Sequence, residues 1–134
     1  MSSPIKTREK EGILILDMEG PFVAGEPAAA FRDKVRESLA AGKRNLILNL
    51  AGVDYIDSTG LGEMVFCFTT LQKKGGRLAL LNLNSRHIEL LVLTKLSTVF
   101  DVFDDEQAAV NSFFPDREIR RFDILSFVEQ QRDL

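Results

Sequence analysis

Cysteine occurs once in this 134-residue chain, at Cys67, so no intrachain disulfide can form. A single domain of this length builds a core without cross-links or structural metals. A lone thiol near an apolar helical stripe reads as a packed side chain in a reducing compartment. Histidine also occurs once, at His87. It falls in the first turn of an expected helix, as a solvent-facing or capping residue, with no spacing that ties it to a nucleophile. Positive charge is not in excess: 17 Lys and Arg face 20 Asp and Glu, for a net charge of −3. Lys73, Lys74 and Arg77, and the pair Arg120-Arg121, read as solvated helix ends or turns. A nucleic-acid binder would carry a stronger basic footprint. No run approaches the ~18 apolar residues of a membrane span, and residues 1–6 hold no signal-peptide core. These absences argue against membrane insertion and secretion, and they place the expected protein in the cytoplasm. There is also no internal repeat and no low-complexity segment.

What is present is the composition of an ordinary globular domain, 45% hydrophobic and 28% charged. Residues 6–9 and 13–17 read as two short strands joined through Glu11-Gly12. Gly20-Pro21 breaks the chain. From Pro27 to about Ala41 the pattern is helical, with Ala28, Phe31, Val35 and Leu39 on one face and Gly42 at the end. An apolar strand over 46–50 leads through a loop into a second helix that ends at Gly75-Gly76. A buried strand over 77–83 follows. A third helix capped by Asn84 or Ser85 runs to about Lys95, and residues 100–103 suit a short strand. Asp104 with Gln107 three residues on resembles a capping box opening a fourth helix. Strands alternating with helices predict an α/β sandwich: a mixed sheet of four to five strands with about four helices packed on it. The domain is expected over residues 1–114. Residues 115–134 form an extension, helical in part, with Asp123 capping a helix that carries Ile124, Phe127 and Val128. That helix is expected to dock on the domain or to contact another chain.

The segment richest in chemistry is Asp57-Ser58-Thr59-Gly60-Leu61-Gly62, between the strand over 46–50 and the helix carrying Leu61, Met64, Val65, Phe68 and Leu71. A serine at such a helix start can cap the helix, attack an electrophile or receive a phosphate. Hydrolysis is a poor fit, because the glycine two residues before the serine of a nucleophile elbow is missing and a base with an orienting group is not evident. A nucleotide cradle lacks the third glycine, and no Gly-Lys-Ser/Thr follows. Asp54 and Asp57 have no His or Cys beside them to hold a metal. No catalytic residue, metal ligand or cofactor is therefore assigned. Phosphorylation of Ser58 fits the local physics. Asp54, Asp57 and Glu63 already make the patch acidic, and a phosphate adds close to two further negative charges. A docked partner would lose a factor of ten in affinity for each ~1.4 kcal/mol of disturbance. On the helix itself, Phe66 projects opposite the apolar stripe, with Thr69 and Thr70 on the same outer side, and Gly62 lies off the stripe. Phe66 would then anchor an interface beside a small residue, stand as a lone exposed aromatic, or lie under the C-terminal extension.

The strand over 46–50, Asp54, the motif from Asp57 to Gly62, and Gly75-Gly76 before the next strand together resemble the STAS domain family, above all bacterial anti-sigma factor antagonists. The likeness covers about residues 5–114. It implies a non-enzymatic regulator that binds an anti-sigma factor serine kinase when unmodified and is switched off by phosphorylation. Carried over by position, Ser58 is the phosphoacceptor and Thr59 a secondary candidate. Asp57 shapes the loop, and Gly60 and Gly62 keep the helix start compact. With Glu63 and Phe66, these residues (57, 58, 59, 60 and 62) form the implied partner surface. A serine phosphatase would reset the switch, neither nucleic acid nor membrane is implied, and a homodimer is left open. The alternative is a constitutive STAS scaffold or subunit, for example of a transporter ATPase complex. One departure stands out. Phosphorylated members often carry an acidic residue after the glycine that ends the second strand, whereas Gly20 here precedes Pro21-Phe22-Val23-Ala24-Gly25. That implies a more apolar contact or an unusual partner.

Overall fold

The computed structural model describes residues 5–132, Arg132 by its backbone alone. Two strands, β1 (Ile5–Lys10) and β2 (Ile13–Glu19), form an antiparallel hairpin through Glu11-Gly12. Helix α1 (Glu26–Ala40) starts with Pro27 in its first turn, where a missing N–H costs nothing. Then come β3 (Asn45–Gly52), α2 (Ser58–Lys73), β4 (Arg77–Leu81), α3 (Ser85–Leu93), β5 (Asp101–Phe103), α4 (Glu106–Asn111) and α5 (Ile124–Arg132). The five strands stand in sequence order in one sheet, antiparallel at β1–β2 and parallel from β2 to β5.

Crossovers between parallel strands keep one hand, so a chain stepping steadily across the sheet stacks its helices on one side. The burial pattern agrees. Leu46, Leu48 and Leu50 of β3 join Phe31 and Val35 of α1, Met64 and Leu71 of α2, and Leu91 of α3 in the larger core. The alternate residues of the strands, Ile15, Ile47, Ala79, Leu81 and Phe103, face the other way and pack under Ala109 and Val110 of α4. Alternation at period two thus splits one strand between two cores. The α1 stripe is read correctly except at its end: Ser38 is buried and Leu39 only half-buried.

Gly75 and Gly76 explain the abrupt stop after α2. Gly75 takes φ +80°, and a Cβ on Gly76 would lie 1.9 Å from the Arg44 carbonyl oxygen. Only glycine permits both the turn and the close approach. The fourth helix differs from expectation: its cap is Asp105, whose carboxylate accepts from the Ala108 N–H at 2.9 Å, and not Asp104. The C-terminal segment docks on the domain. The Phe122 N–H donates to the Val102 carbonyl, Phe122 and Ile124 pack against the larger core, and Asp123 caps α5 through the Ser126 N–H. Cys67 is buried in the same core, which pushes its thiol pKa up to about 12, with Glu63 adding to the shift.

Candidate functional site

The site is built where β3 turns into α2. Asp57, with extended backbone, is the N-cap of α2: its Oδ1 accepts from the Gly60 N–H at 2.8 Å. The second oxygen accepts from the Ala24 N–H at 3.0 Å. One carboxylate therefore satisfies a free donor of the helix and ties the helix start to the loop after β2. These N–H groups, Gly60 first and Ala24 next, hold the Asp57 pKa below the ordinary carboxylate value against a smaller opposing cost of burial. Phe22 completes the tie. Its N–H donates to the Tyr55 carbonyl, its own carbonyl accepts from the Asp57 N–H, and it forms a parallel bridge with Ile56.

Ser58 follows as the first residue of α2, and it is exposed. Among the described residues its side chain has no hydrogen-bond partner. With capping assigned to Asp57, the Ser58 hydroxyl is left free at the positive end of a 16-residue helix. Thr59 is exposed beside it.

The two motif glycines part company. A Cβ on Gly60 would sit 2.1 Å from the Phe22 carbonyl oxygen, so this buried position admits no side chain without moving backbone. A Cβ on Gly62 would meet nothing within 4 Å. Gly62 is exposed and is not needed to keep the helix start compact.

Glu63 and Phe66 lie further along α2. The Glu63 carboxylate takes a two-pronged ion pair from Arg32 of α1, at 2.6 and 3.0 Å, and its side chain is only 12% exposed. Its charge is therefore matched, and the acidity read from the sequence is left to Asp54 and Asp57. Phe66 is 50% exposed, with the Arg32 guanidinium 5.0 Å from its ring centre. The extension does not line the hollow on this side, whose walls come from α1 and α2.

One expectation needs correction and another is narrowed. Phe22 is fully buried and packs against Phe31, ring centres 5.0 Å apart, so the apolar character of the loop after β2 points inward. Only Pro21, Ala24 and Gly25 of that loop are exposed. His87 is capping, as expected, but not solvent-facing: it is 2% exposed. The Asn84 side chain accepts from the His87 N–H at 2.9 Å, while His87 Nδ1 accepts from the Asn84 N–H at 3.1 Å. The proton of the neutral ring is thus on Nε2, which has no hydrogen-bond partner. Burial lowers the His87 pKa; the nearby Val53 carbonyl and Asp54 oppose that shift without overcoming it. A ring with its acceptor nitrogen already engaged and its free nitrogen protonated cannot take the Ser58 proton. Among the described residues no three His, Cys, Asp or Glu side chains gather as metal ligands, and no helix is long and apolar enough to cross a membrane.

Sequence reasoning missed Arg32 and Ala24. Both act across more than 30 positions of chain, and no local pattern announces such contacts.

The chain is 36% identical over 106 residues to the anti-sigma-B factor antagonist of Listeria monocytogenes serovar 1/2a, spanning 76% of this chain and 88% of that one. It is 37% identical over 92 residues to the anti-sigma-B factor antagonist of Bacillus subtilis strain 168, spanning 66% and 84%. Among solved structures, a Thermotoga maritima protein provisionally classed as an anti-sigma factor antagonist superposes with a TM-score of 0.76. That match has 25% identity and covers 81% of this chain and 93% of that one. The STAS domain model matches residues 4–109, the hairpin through α4 nearly entire, and the chain belongs to the STAS domain family.

Proposed function

We propose that this protein is an anti-sigma factor antagonist controlled by phosphorylation of Ser58. Unmodified, it binds an anti-sigma factor serine kinase in the cytoplasm through the α2 start and thereby frees the sigma factor. The kinase then uses ATP on its docked partner. Ser58 Oγ forms a bond to the γ-phosphorus, the bond to ADP breaks, and the serine proton passes to a base of the kinase. Phosphoserine adds about −1.5 to −2 charges at the centre of the contact and releases the complex. A serine phosphatase restores the hydroxyl with water. The observation that carries this reading is the exposed, unbonded Ser58 hydroxyl beside a cap already supplied by Asp57. The relatives named anti-sigma-B factor antagonist support the class of partner. Because no neighbour depends on Ser58 Oγ, the modification needs no rearrangement of the fold.

The test pairs the purified protein with the serine kinase encoded nearest to it. Mass analysis is expected to find one phosphate on Ser58, and Ser58→Ala to abolish it. Ser58→Asp is expected to weaken kinase binding at least tenfold by calorimetry, while circular dichroism stays unchanged. Tight binding by Ser58→Asp, together with failure of the unaltered chain to accept phosphate, would instead leave a constitutive scaffold.

A further inference from the structure

Helices α2 and α3 follow adjacent parallel strands, β3 and β4, and pack on the same face of the sheet. Neighbouring strands lie about 4.8 Å apart and packed helices about 8–10 Å. Their first turns therefore emerge at the same edge of the sheet, where Ser58 of one and Arg86 of the other line a common groove. A groove of about 470 Å³ opens between them, walled by Tyr55, Ser58, Arg86, His87, Leu90 and Leu93. Its charged groups are few. The Asp57 carboxylate is spent on the N–H groups of Gly60 and Ala24. The His87 ring is held neutral within its capping box. Glu89 and Arg86, both exposed, remain.

Arg86 is distinctive. Arg8, Arg32, Arg36, Arg77, Arg117, Arg120 and Arg121 each pair with a carboxylate, and Arg44 donates to the Lys74 carbonyl. Among the arginines whose side chains are described, Arg86 alone has neither an ion pair nor a hydrogen bond. An unengaged guanidinium and an unengaged serine hydroxyl thus line one groove. A guanidinium presents parallel N–H donors matched to two phosphate oxygens.

We propose that Arg86 binds the phosphate of phosphorylated Ser58 within the same chain. This rests on the reading of Ser58 as phosphoacceptor. The modification then acts twice on a docking partner: it adds an anion to the groove and withdraws the groove's free cation. Glu89, one turn further along α3, limits how far the phosphate can move along the groove by repelling it.

The test installs phosphoserine at position 58 by codon reassignment, so that no kinase is needed, and follows the phosphate by phosphorus NMR through a pH titration. In the otherwise unaltered chain its second ionisation is expected below the usual value near 6. Arg86→Gln is expected to raise it by about 0.5 pH units or more, and Arg86→Lys to keep about half of the lowering. In the unaltered chain the Arg86 Nε–H resonance is expected to shift with the same apparent pKa. An ionisation indifferent to Arg86→Gln, or an Arg86 resonance that ignores the titration, overturns the inference. A kinase that leaves the natural Ser58 unmodified would refute the proposed function without touching this result.

Discussion

Helices α2 and α3 begin alike, each leaving a parallel strand through a short loop and each capped by a side chain three residues from its target N–H. Their caps differ in reciprocity. Asn84 and His87 satisfy each other's backbone, the imidazole is buried in the exchange, and the Asn84 side chain also donates to the Val53 carbonyl at 3.4 Å. Asp57 satisfies one donor of its own helix and one from the loop after β2, 33 positions earlier, and no residue at the α2 start returns the exchange from its side chain. Behind the reciprocal cap Ser85 is exposed and without a hydrogen-bond partner among the described residues, and Ser58 is likewise idle behind the one-way cap. A helix start can thus be held firmly while keeping a hydroxyl free for chemistry, provided that the capping atom belongs to the preceding residue.

The contrast can be broken most severely at Gly60. Gly60→Ala drives a methyl into the Phe22 carbonyl, and denaturant unfolding is expected to show a loss of about 3 kcal/mol or outright failure to fold. At the other helix, Asn84→Ala is expected to cost about 1 kcal/mol by the same measurement, the usual worth of a lost cap. Gly62→Ala should move the opposite way, gaining about 0.5–1 kcal/mol, because an exposed helical glycine gives up backbone entropy for no contact.

His87 sharpens the comparison through pH. Its pKa is lowered in the folded chain, so the unfolded chain takes up a proton first as pH falls. The contribution of the neutral ring is complete above the unfolded value of about 6.5 and is lost as pH drops through the folded one. Unfolding curves between pH 7 and 5.5 are expected to show stability falling with acid, and His87→Gln to flatten that slope. The smallest effect belongs to Ser58. Ser58→Ala and Ser58→Asp should each stay within about 0.5 kcal/mol of the unaltered chain in thermal or denaturant unfolding. A larger loss would mean that the hydroxyl is structural after all.

Most strands and helices were legible because hydrophobic spacing changes from two to 3.6 at their borders, as between residues 46–50 and Leu61, Met64 and Leu71. The hairpin at Glu11-Gly12 and the stop at Gly75-Gly76 were legible for the same local reason, since turn chemistry is written in adjacent residues. The errors lie where two neighbours offer the same chemistry or where a contact is remote. Asp104 and Asp105 are equally able to cap, and only the helix phase chooses between them. Phe22 stands in an irregular loop, and a one-residue bridge has no period to read. Its burial against Phe31 depends on where α1 lands. At the site, Ser58 and Gly60 were legible from their spacing, but the division of labour between Asp57 and Ser58 was not. Either oxygen is able to cap α2 by position, and only the folded geometry selects the carboxylate. Arg86 carried no signal at all, since its distinction is the partner it lacks.

The sheet has two margins, and the chain protects them by different means. Along β1 the charged side chains of Lys6, Arg8, Glu9 and Lys10 discourage another strand from adding itself. The three-residue margin at β5 has no such row of charges; there the Phe122 N–H occupies the Val102 carbonyl. A chain cut after Pro115 would keep the STAS match and the serine, yet uncover that carbonyl and the apolar floor beneath Phe122 and Ile124. The tail thus covers part of the core that the matched domain encloses, and is more than an appendage.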